Sequence, residues 1–300
     1  MTNKLRPLLA TEVKNLKDLK LPMLASVKLD GIYALIVDGV IYSRSFKPIK
    51  NKHVQKLFGN RDLNGLVGEL VCGDVYAEDV FRQTTTATMA ADGVNDVKLY
   101  VFDDWSVGDK PYQERYQHYQ RRIKALNHGS IVALEHNMLH TVDEVITTLD
   151  KEQKRNGEGI ILRLPSAKWK NGRSTPKSQE SVKLKFFEQQ EYKIVDVVER
   201  MHNANEAKVN EMGYTERSSH KDNMIPMNTF GAFVMELQDG RNFNVGSGLG
   251  LTDAVRKEIW NNRDKYIGKI ATVRQMKVGS KNGIPRLPTF VGLRDKDDIS

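Results

Sequence analysis

The stretch Leu24–Phe46, LASVKLDGIYALIVDGVIYSRSF, decides the fold of the first half of the chain. Apolar and β-branched residues fill both of its arms, and Asp38-Gly39 separates them, which is a strong short-range signal of a β-hairpin with a two-residue turn. Paired positions then add up to 77, so that Tyr33 lies opposite Arg44. The sequence therefore predicts a hairpin in this register.

A short polar motif stands at the start of this hairpin. Lys28 and Asp30 are two positions apart on the predicted strand, so their side chains share one face, and Gly31 removes a side chain beside them. A lysine between Val27 and Leu29 is costly to bury unless an anion meets it. The residues alone leave two interpretations open, a structural ion pair with Asp30 or a lysine nucleophile.

Charge and composition predict an anionic partner for this chain. The 300 residues carry a net charge of +8, of which +7 lies in residues 1–187 and +1 in residues 188–300. The densest basic stretch is Arg163–Lys185, where seven basic residues accompany a single acid, Glu180. Such a stretch attracts anions, although a solvated basic loop has the same composition.

Hydropathy and cysteine content exclude the membrane-spanning and disulfide-rich classes of protein. No apolar run approaches the roughly 20 residues of a bilayer crossing, and the first 20 residues lack the apolar core of a signal peptide. Cys72 is the one cysteine, which excludes disulfide scaffolds and cysteine-rich zinc sites. We therefore expect a cytoplasmic protein in a reducing compartment with no membrane partner.

Periodicity divides the chain into two parts with different patterns. Before position 188, helical and strand-like runs alternate. Apolar runs predict strands over 65–73, 97–105, 160–164 and 181–187. Helical spacing predicts helices over 48–58, 111–126 and 142–155. The fold class is therefore α+β.

The second part, 188–300, contains short strands separated by Gly-rich turns and one helix near 252–262. About five strands in this length are typical of a β-barrel of the OB type. Residues 200–229 form a polar insertion with little apolar periodicity, and loops of that length are usually functional or disordered.

Six segments, in order along the first part, resemble the motifs of ATP-dependent polynucleotide ligases, which are covalent nucleotidyltransferases. They are Lys28-Leu29-Asp30-Gly31, Ser43-Arg44-Ser45, Gly68-Glu69-Leu70, Tyr100-Val101-Phe102-Asp103, Glu158-Gly159-Ile160-Ile161-Leu162-Arg163 and Lys183-Leu184-Lys185. The resemblance implies a nucleotidyltransferase (adenylation) domain over 1–187, with ATP-grasp-like antiparallel sheets and helices, followed by an OB-fold domain over 188–300.

The resemblance also implies a role for each of these residues. Lys28 is the nucleophile that becomes covalently linked to AMP. Arg44 contacts the nucleotide and the DNA end, Glu69 holds the ribose, and Phe102 stacks on the adenine.

The last two motifs are expected to handle the phosphates of ATP. The resemblance implies that Lys183 and Lys185 meet the α-phosphate, and alternation along a strand puts both on one face. Glu158, together with Glu69, is expected to hold Mg²⁺ or Mn²⁺. A divalent metal and neighbouring cations neutralise charge on a phosphoryl group during transfer.

Two segments of the second part resemble OB-domain signatures of DNA ligases. They are Val245-Gly246-Ser247-Gly248 and the run from Arg286 to Arg294. The latter implies that Arg286 and Arg294 bind the nucleotide and orient pyrophosphate. The insertion 200–229 stands where a minimal viral family member has a hairpin that closes around DNA, so it is either a DNA clamp or a disordered surface loop.

One position departs from the family pattern. The family's nucleophile motif commonly continues to an arginine that contacts the nucleotide sugar and the nick phosphate, and Tyr33 stands there instead. Because the register places Tyr33 beside Arg44, we hypothesise that the phenol supports Arg44 at the phosphate. The residues expected to bind DNA are Arg44, Tyr33, Lys168, Lys170, Arg173 and Lys177.

The resemblance as a whole implies an ATP-dependent DNA ligase that seals nicks between a 3′-hydroxyl and a 5′-phosphate in DNA replication and repair. Its expected substrates are ATP and nicked duplex DNA, and a monomer is expected. Three alternatives stay open at this point: an RNA ligase, an mRNA-capping guanylyltransferase and a non-catalytic nick-binding protein.

Overall fold

A computed structural model describes residues 5–209, 215–218, 220–281 and 283–294. The chain forms two compact units, and the boundary between them falls between Lys185 and Phe186. No helix in these described residues is long and apolar enough to cross a membrane.

The strands are numbered in chain order. They are β1 (Leu8–Leu9), β2 (Met23–Val27), β3 (Ile32–Val37), β4 (Val40–Ser43), β5 (Leu66–Cys72), β6 (Val97–Asp104), β7 (Ile131–Ala133), β8 (Asn137–Leu139), β9 (Gly159–Arg163), β10 (Gly172–Arg173), β11 (Ser181–Lys185), β12 (Glu188–Asn203), β13 (Ala207–Val209), β14 (Thr215–Arg217), β15 (Met224–Glu236), β16 (Asn242–Val245), β17 (Ile270–Lys281) and β18 (Ile284–Leu293). The helices are α1 (Lys52–Phe58), α2 (Val80–Met89), α3 (Tyr112–Leu126), α4 (Val142–Lys154) and α5 (Asp253–Asn261).

The predicted hairpin, β3-β4, forms one edge of a sheet of the first unit, whose strand order is β4-β3-β5-β6-β7. Val37 pairs with Val40 and Ala34 with Ser43, which confirms the predicted register. Most residues of β3, β5 and β6 are buried, and Phe58 of α1 and Tyr119 of α3 pack against these strands in one apolar core. Burial of such a side chain stabilises the fold by about 1.5–3 kcal/mol.

A second sheet of the first unit has the order β11-β9-β2-β8. Its strands are antiparallel, with Val27 opposite Ile160 and Lys183 opposite Ile161. Helix α4 covers this sheet through Val145, which is completely buried. Lys28 therefore follows the end of β2 and Glu158 precedes the start of β9, so that both lie at the same end of this sheet.

The second unit is a five-stranded antiparallel sheet of order β16-β15-β12-β17-β18. A bridge between Gly248 and Phe290 joins the segment after β16 to β18, so the two edges of the sheet meet. The architecture is that of an OB-like domain, and the edges meet at a bridge rather than along a full strand ladder. Helix α5 packs on this sheet through the buried Ile259.

The insertion 200–229 lies partly outside the described residues, since 210–214 and 219 are not described. Its described flanks are strands: β12 continues to Asn203, β15 begins at Met224, and these two residues pair with each other. Met201, Ile225 and Met227 are exposed on these flanks. The polar composition of the segment had given no strand signal.

Helix α2 is the main element that periodicity did not predict. Its centre contains several β-branched threonines, which are poor helix formers. Tertiary contacts satisfy them: Thr84 is fully buried and its hydroxyl accepts a hydrogen bond from the Cys72 amide, and the Thr88 hydroxyl donates to the Thr84 carbonyl. Burial with satisfied hydrogen bonds overrides the weak local propensity.

Candidate active site

A cavity of about 290 Å³ lies in the first unit and is lined by residues of both of its sheets. Most of the site residues predicted in the first unit line it. These are Lys28, Tyr33, Arg44, Glu69, Phe102, Arg173, Lys183 and Lys185. Two small residues permit the close packing behind them, because a Cβ atom at Gly31 would lie 2.2 Å from the Leu70 carbonyl oxygen and one at Gly159 2.0 Å from that of Leu184.

Lys28 follows directly after β2, and its amide donates to the Gly159 carbonyl. Its ammonium group forms an ion pair with the Oε2 atom of Glu158. The other carboxylate oxygen of Glu158 accepts from Lys185 at 2.7 Å. Burial alone would raise the pKa of the Glu158 carboxyl, but the charges of Lys28 and Lys185 outweigh it and lower that pKa. One ionised carboxylate thus holds two lysines at the cavity.

Lys183 and Arg173 provide further positive charge at the cavity. The Lys183 ammonium lies 3.1 Å from a carboxylate oxygen of Glu12, and Arg173 donates to the Ala10 carbonyl at 2.8 Å. The N-terminal segment reaches this position because β1 pairs in parallel with β10. Arg173, predicted as a DNA contact, therefore lines the same cavity as the lysines.

Glu69 lies on β5, directly opposite Tyr33 of β3. The pKa of Glu69 is raised to about 8, chiefly by burial; the charge of Lys28 opposes this rise, and the carboxylates of Glu158 and Asp30 add to it. The group is therefore largely protonated at neutral pH in the absence of ligand. In that state it can donate a hydrogen bond as well as accept one.

An aromatic wall lies beside Glu69. The rings of Tyr33 and Phe102 are 5.8 Å apart with their planes tilted by 56°. The Tyr33 hydroxyl oxygen is buried and has no hydrogen-bond partner among the described residues, so it does not hydrogen-bond to Arg44. Burial raises the pKa of this phenol far above its ordinary value. The hypothesis that the hydroxyl supports Arg44 thus finds no hydrogen bond in the structure.

A buried ionic network fixes the backbone behind Phe102. Asp103 accepts from the Arg115 guanidinium at 2.8 and 3.1 Å and from Arg163 at 3.3 Å, and all three side chains are almost completely buried. The Arg163 guanidinium lies 4.8 Å from the centre of the Phe102 ring. Tyr112 donates to the Phe102 carbonyl at 2.7 Å.

Sequence reasoning placed Arg163 inside a motif but assigned no role to it, and it missed Arg115. A signal for Arg115 was present, because it stands on the same helical face as Tyr112, Tyr119 and Ile123. A charged residue within an apolar stripe indicates a buried partner.

The remaining predicted residues lie outside the cavity lining. Lys168 and Lys177 are exposed in the basic stretch, and Lys170 forms an ion pair with Glu180 at 3.3 Å. Arg286 lies on β18 of the second unit, and Arg294 directly after this strand forms an ion pair with Glu191.

Comparison with known proteins defines the class. Residues 7–185 match the sequence model of the ATP dependent DNA ligase domain, and residues 226–294 match that of the DNA ligase OB-like domain. No curated protein matches the chain.

Solved structures of similar proteins extend over nearly the whole chain. Two crystal structures of the Chlorella virus DNA ligase-adenylate are 26% and 27% identical to it, with TM-scores of 0.54 and 0.55, and cover 96% and 98% of this chain and 99% of their own. A structure of Lig E DNA ligases is 21% identical, covers 98% of this chain and 100% of its own, and has a TM-score of 0.69, which supports the fold.

A nucleotidyltransferase domain followed by an OB-like domain therefore makes up this protein. The chain belongs to the ATP-dependent DNA ligase family. Its activity is the ATP-dependent sealing of nicks in DNA, as the sequence motifs predicted.

Proposed function

We propose that the ligase is adenylated on Lys28 and that the cavity of the first unit holds ATP during this step. The observation that carries the proposal is the pairing of Lys28 and Lys185 with the same carboxylate of Glu158 at the cavity. This arrangement holds a lysine nucleophile next to a second cation that can meet the phosphate under attack. Adenylation is accordingly assigned to the domain 1–187.

The reaction proceeds in three phosphoryl transfers. The neutral Lys28 amine attacks the α-phosphorus of ATP, a phosphorus–nitrogen bond forms, the bond to pyrophosphate breaks, and the amine gives up a proton. The 5′-phosphate of the nick then attacks the same phosphorus and releases Lys28. Finally the 3′-hydroxyl attacks the 5′-phosphorus, loses its proton and expels AMP, which leaves a sealed strand.

The residues around the cavity divide this work by their chemistry. Lys183 and Lys185 neutralise charge on the α-phosphate, as two cations on one strand face can do. Glu69 contacts the ribose hydroxyls, and Phe102 stacks on the adenine. Arg44, which lines the cavity, serves both the nucleotide and the 5′-phosphate of the DNA.

The donor set also fits a divalent metal that binds together with the nucleotide. Among the described residues no group of three or more His, Cys, Asp or Glu side chains is arranged to hold a metal ion. Mg²⁺ is usually held by one or two carboxylates together with substrate phosphates, and Glu158 and Glu69 provide the two carboxylates. When bound, Mg²⁺ or Mn²⁺ would neutralise the charge that develops on the phosphates.

The OB-like domain, 188–300, contributes to nucleotide and DNA binding in this proposal. Arg286 and Arg294 orient pyrophosphate during adenylation. DNA contacts come from the basic stretch of the first unit, where Lys168 and Lys177 are exposed and Lys170 is partly exposed, while Arg173 adds charge at the cavity. Exposed cations of this kind bind the phosphate backbone irrespective of sequence.

The decisive experiment is incubation of the protein with labelled ATP, followed by denaturing electrophoresis. The wild-type protein should retain label, and Lys28→Ala should retain none. Lys52→Ala is the matched control, because Lys52 is an exposed lysine that pairs with Asp92 far from the cavity lining. Label on Lys28→Ala would place the adduct on another residue and refute the assignment of Lys28. No label on the wild-type protein would refute adenylation and leave a non-catalytic nick-binding protein.

We propose that the insertion 200–229 clamps the DNA duplex. Its described flanks form a paired two-stranded arm with exposed Arg200, Met201, Ile225 and Met227. Such an arm combines a cation for phosphates with apolar side chains for sugars and base edges. Removal of residues 204–222 should weaken binding to nicked duplex while adenylation of Lys28 persists. Equal loss of both activities would contradict the clamp.

The same proposal includes a monomeric enzyme of the cytoplasm that acts in DNA replication and repair. Cys72 is a free, partly buried thiol, which suits a reducing compartment. Sedimentation of the protein with and without nicked duplex tests the monomer, and a shift to a dimer on DNA would contradict it.

A further inference from the structure

The position where the family pattern has an arginine is part of the cavity wall in this protein. Tyr33 lies on β3 opposite Glu69, and its ring faces Phe102 at 5.8 Å. Both rings line the cavity, and Ile161 lies on the lining as well. The wall around Tyr33 is thus largely aromatic and apolar, with the Glu69 carboxyl and the Arg163 guanidinium as its charged or polar groups.

The hydroxyl group of Tyr33 contributes little to this wall. Its oxygen is buried without a hydrogen-bond partner in the described part of the chain, whereas the residue as a whole is partly exposed. The surface that Tyr33 offers to the cavity is therefore that of its ring. A neutral ring cannot neutralise a phosphate, but it packs well against the face of a sugar or a base.

An arginine would be poorly accommodated at this position. Arg163 is almost completely buried behind Phe102 and is the charged side chain that acts most strongly on Tyr33. A second guanidinium here would be repelled by Arg163 and Arg44. The carboxyl groups of Asp103 and Glu69 also act on this position, but Asp103 is already paired with two arginines and burial keeps Glu69 largely protonated. Like charges in a poorly hydrated site repel each other strongly.

The phosphate-directed groups lie on a different part of the lining. Lys28 and Lys185 meet at Glu158, and Lys183 shares a strand face with Lys185. Tyr33 is instead associated with Glu69 and Phe102. The triphosphate and the nucleoside of one ATP therefore have separate surroundings within the cavity.

We propose that Tyr33 binds the nucleoside of ATP through its ring, as an aromatic corner together with Phe102, and that it is not a DNA contact. The inference rests on the proposed adenylation of Lys28 in this cavity. It replaces the charged sugar contact of the family pattern with an uncharged packing contact, and it withdraws Tyr33 from the expected DNA-binding residues.

The test compares Tyr33→Leu, Tyr33→Met and Tyr33→Phe with the wild-type protein. Two quantities are measured: the ATP concentration that gives half-maximal adenylation of Lys28, and the affinity of the adenylated protein for nicked duplex DNA. Loss of a base–aromatic contact predicts that Leu and Met raise the half-maximal ATP concentration about tenfold or more, while the affinity for nicked duplex changes less than twofold. Tyr33→Phe, which keeps the ring, should raise this concentration at most about threefold.

Tyr42→Leu is the matched control. Tyr42 lies on the same hairpin, and its ring is also 5.8 Å from a phenylalanine ring, that of Phe46, but it does not line the cavity. This variant should leave the ATP dependence of adenylation unchanged. Melting temperatures of all variants show whether each protein is folded, and Tyr33→Met provides a second variant of similar volume if Leu destabilises the fold.

Three results would overturn the inference. If the Leu and Met variants keep the wild-type ATP dependence of adenylation, the Tyr33 ring does not contact the nucleotide. Weaker binding of nicked duplex at unchanged ATP dependence would make Tyr33 a DNA contact after all. A Phe variant as impaired as Leu would assign the effect to the hydroxyl. Absence of any adduct in the wild-type protein would instead refute the adenylation of Lys28.

Discussion

The two sides of the cavity hold their charges in different ways. On the lysine side, Lys28 and Lys185 share Glu158, and the two lysine side chains are 19% and 17% exposed. On the aromatic side, Asp103 is bound by Arg115 and Arg163, and all three are nearly inaccessible. The lysines can exchange a carboxylate for a phosphate when a nucleotide enters, whereas the arginines are committed to the fold.

Under the proposed function, this difference separates groups that do chemistry from groups that hold them. The Glu158 carboxylate is buried, but both of its lysine partners reach solvent and can therefore meet an incoming phosphate. A buried ion pair fixes geometry, because removal of one partner leaves an uncompensated charge in a medium of low dielectric constant. Substitutions on the lysine side should therefore change the rate of adenylation, and substitutions on the aromatic side should change the free energy of unfolding.

The largest effect is expected for Glu158→Gln on the lysine side. The amide keeps the shape of the side chain but loses the charge that holds Lys28 and Lys185, so the rate of Lys28 adenylation should fall about 100-fold or more. Single-turnover adenylation with saturating ATP measures this rate. Glu152→Gln is the control, since Glu152 is a buried carboxylate of the same unit that accepts from Tyr76, outside the cavity lining. Equal adenylation rates for Glu158→Gln and Glu152→Gln would show that the charge of Glu158 has no role in the adenylation of Lys28.

The largest loss of stability, as distinct from catalytic rate, is expected for Asp103→Asn on the aromatic side. Arg115 and Arg163 would remain buried without their carboxylate, and such a change costs about 3–5 kcal/mol of unfolding free energy. Denaturant unfolding of the first unit measures this loss.

Asp104→Asn provides a graded control for Asp103. Asp104 is equally buried, but its partner Arg122 is 22% exposed and can be hydrated. We therefore expect a smaller loss of unfolding free energy for Asp104→Asn. A larger loss of unfolding free energy for Asp104→Asn than for Asp103→Asn would contradict the structural role given to the Asp103 network.

The smallest of the three effects concerns His136, which lies behind the aromatic side. Its ring contacts the Tyr112 hydroxyl at 3.0 Å and the Tyr119 hydroxyl at 3.3 Å. Burial, reinforced by the charge of Arg163, lowers the pKa of His136 from 6.5 to about 3. The folded protein therefore binds this proton less tightly than the unfolded chain does.

Because the unfolded chain binds this proton more tightly, the folded protein should lose stability as the pH falls. The stability associated with neutral His136 is complete above pH 6.5 and is lost as the pH falls toward 3. Between pH 6.5 and 4 the expected loss is about 2–3 kcal/mol. His136→Gln should lose less stability over this range, measured by denaturant unfolding at several pH values, and the exposed His140→Gln should behave like the wild-type protein. Parallel curves for all three proteins would show that the His136 ring is not a source of acid sensitivity.

Much of the cavity lining could be predicted from the sequence, because its residues belong to short local patterns. The hairpin register followed from Asp38-Gly39, and it placed Tyr33 on one face with Arg44. Alternation placed Lys183 and Lys185 together, as the structure has them on β11. The network of Arg115, Asp103 and Arg163 joins three distant elements, so no local pattern could predict it.

The sequence by itself determined the class of enzyme, the order of its two domains and the lysine that we assign as the nucleophile. These depend on residue type and spacing, which are properties of the linear chain. Only the tertiary structure decided that Glu158 holds both Lys28 and Lys185, and that the ring of Tyr33, rather than its hydroxyl, faces the cavity. The ion pairs form because β9 lies between β2 and β11 in one sheet, which brings Glu158 to Lys28, 130 positions away, and to Lys185. Such strand pairing and the burial of Tyr33 are decided by tertiary structure and not by local periodicity.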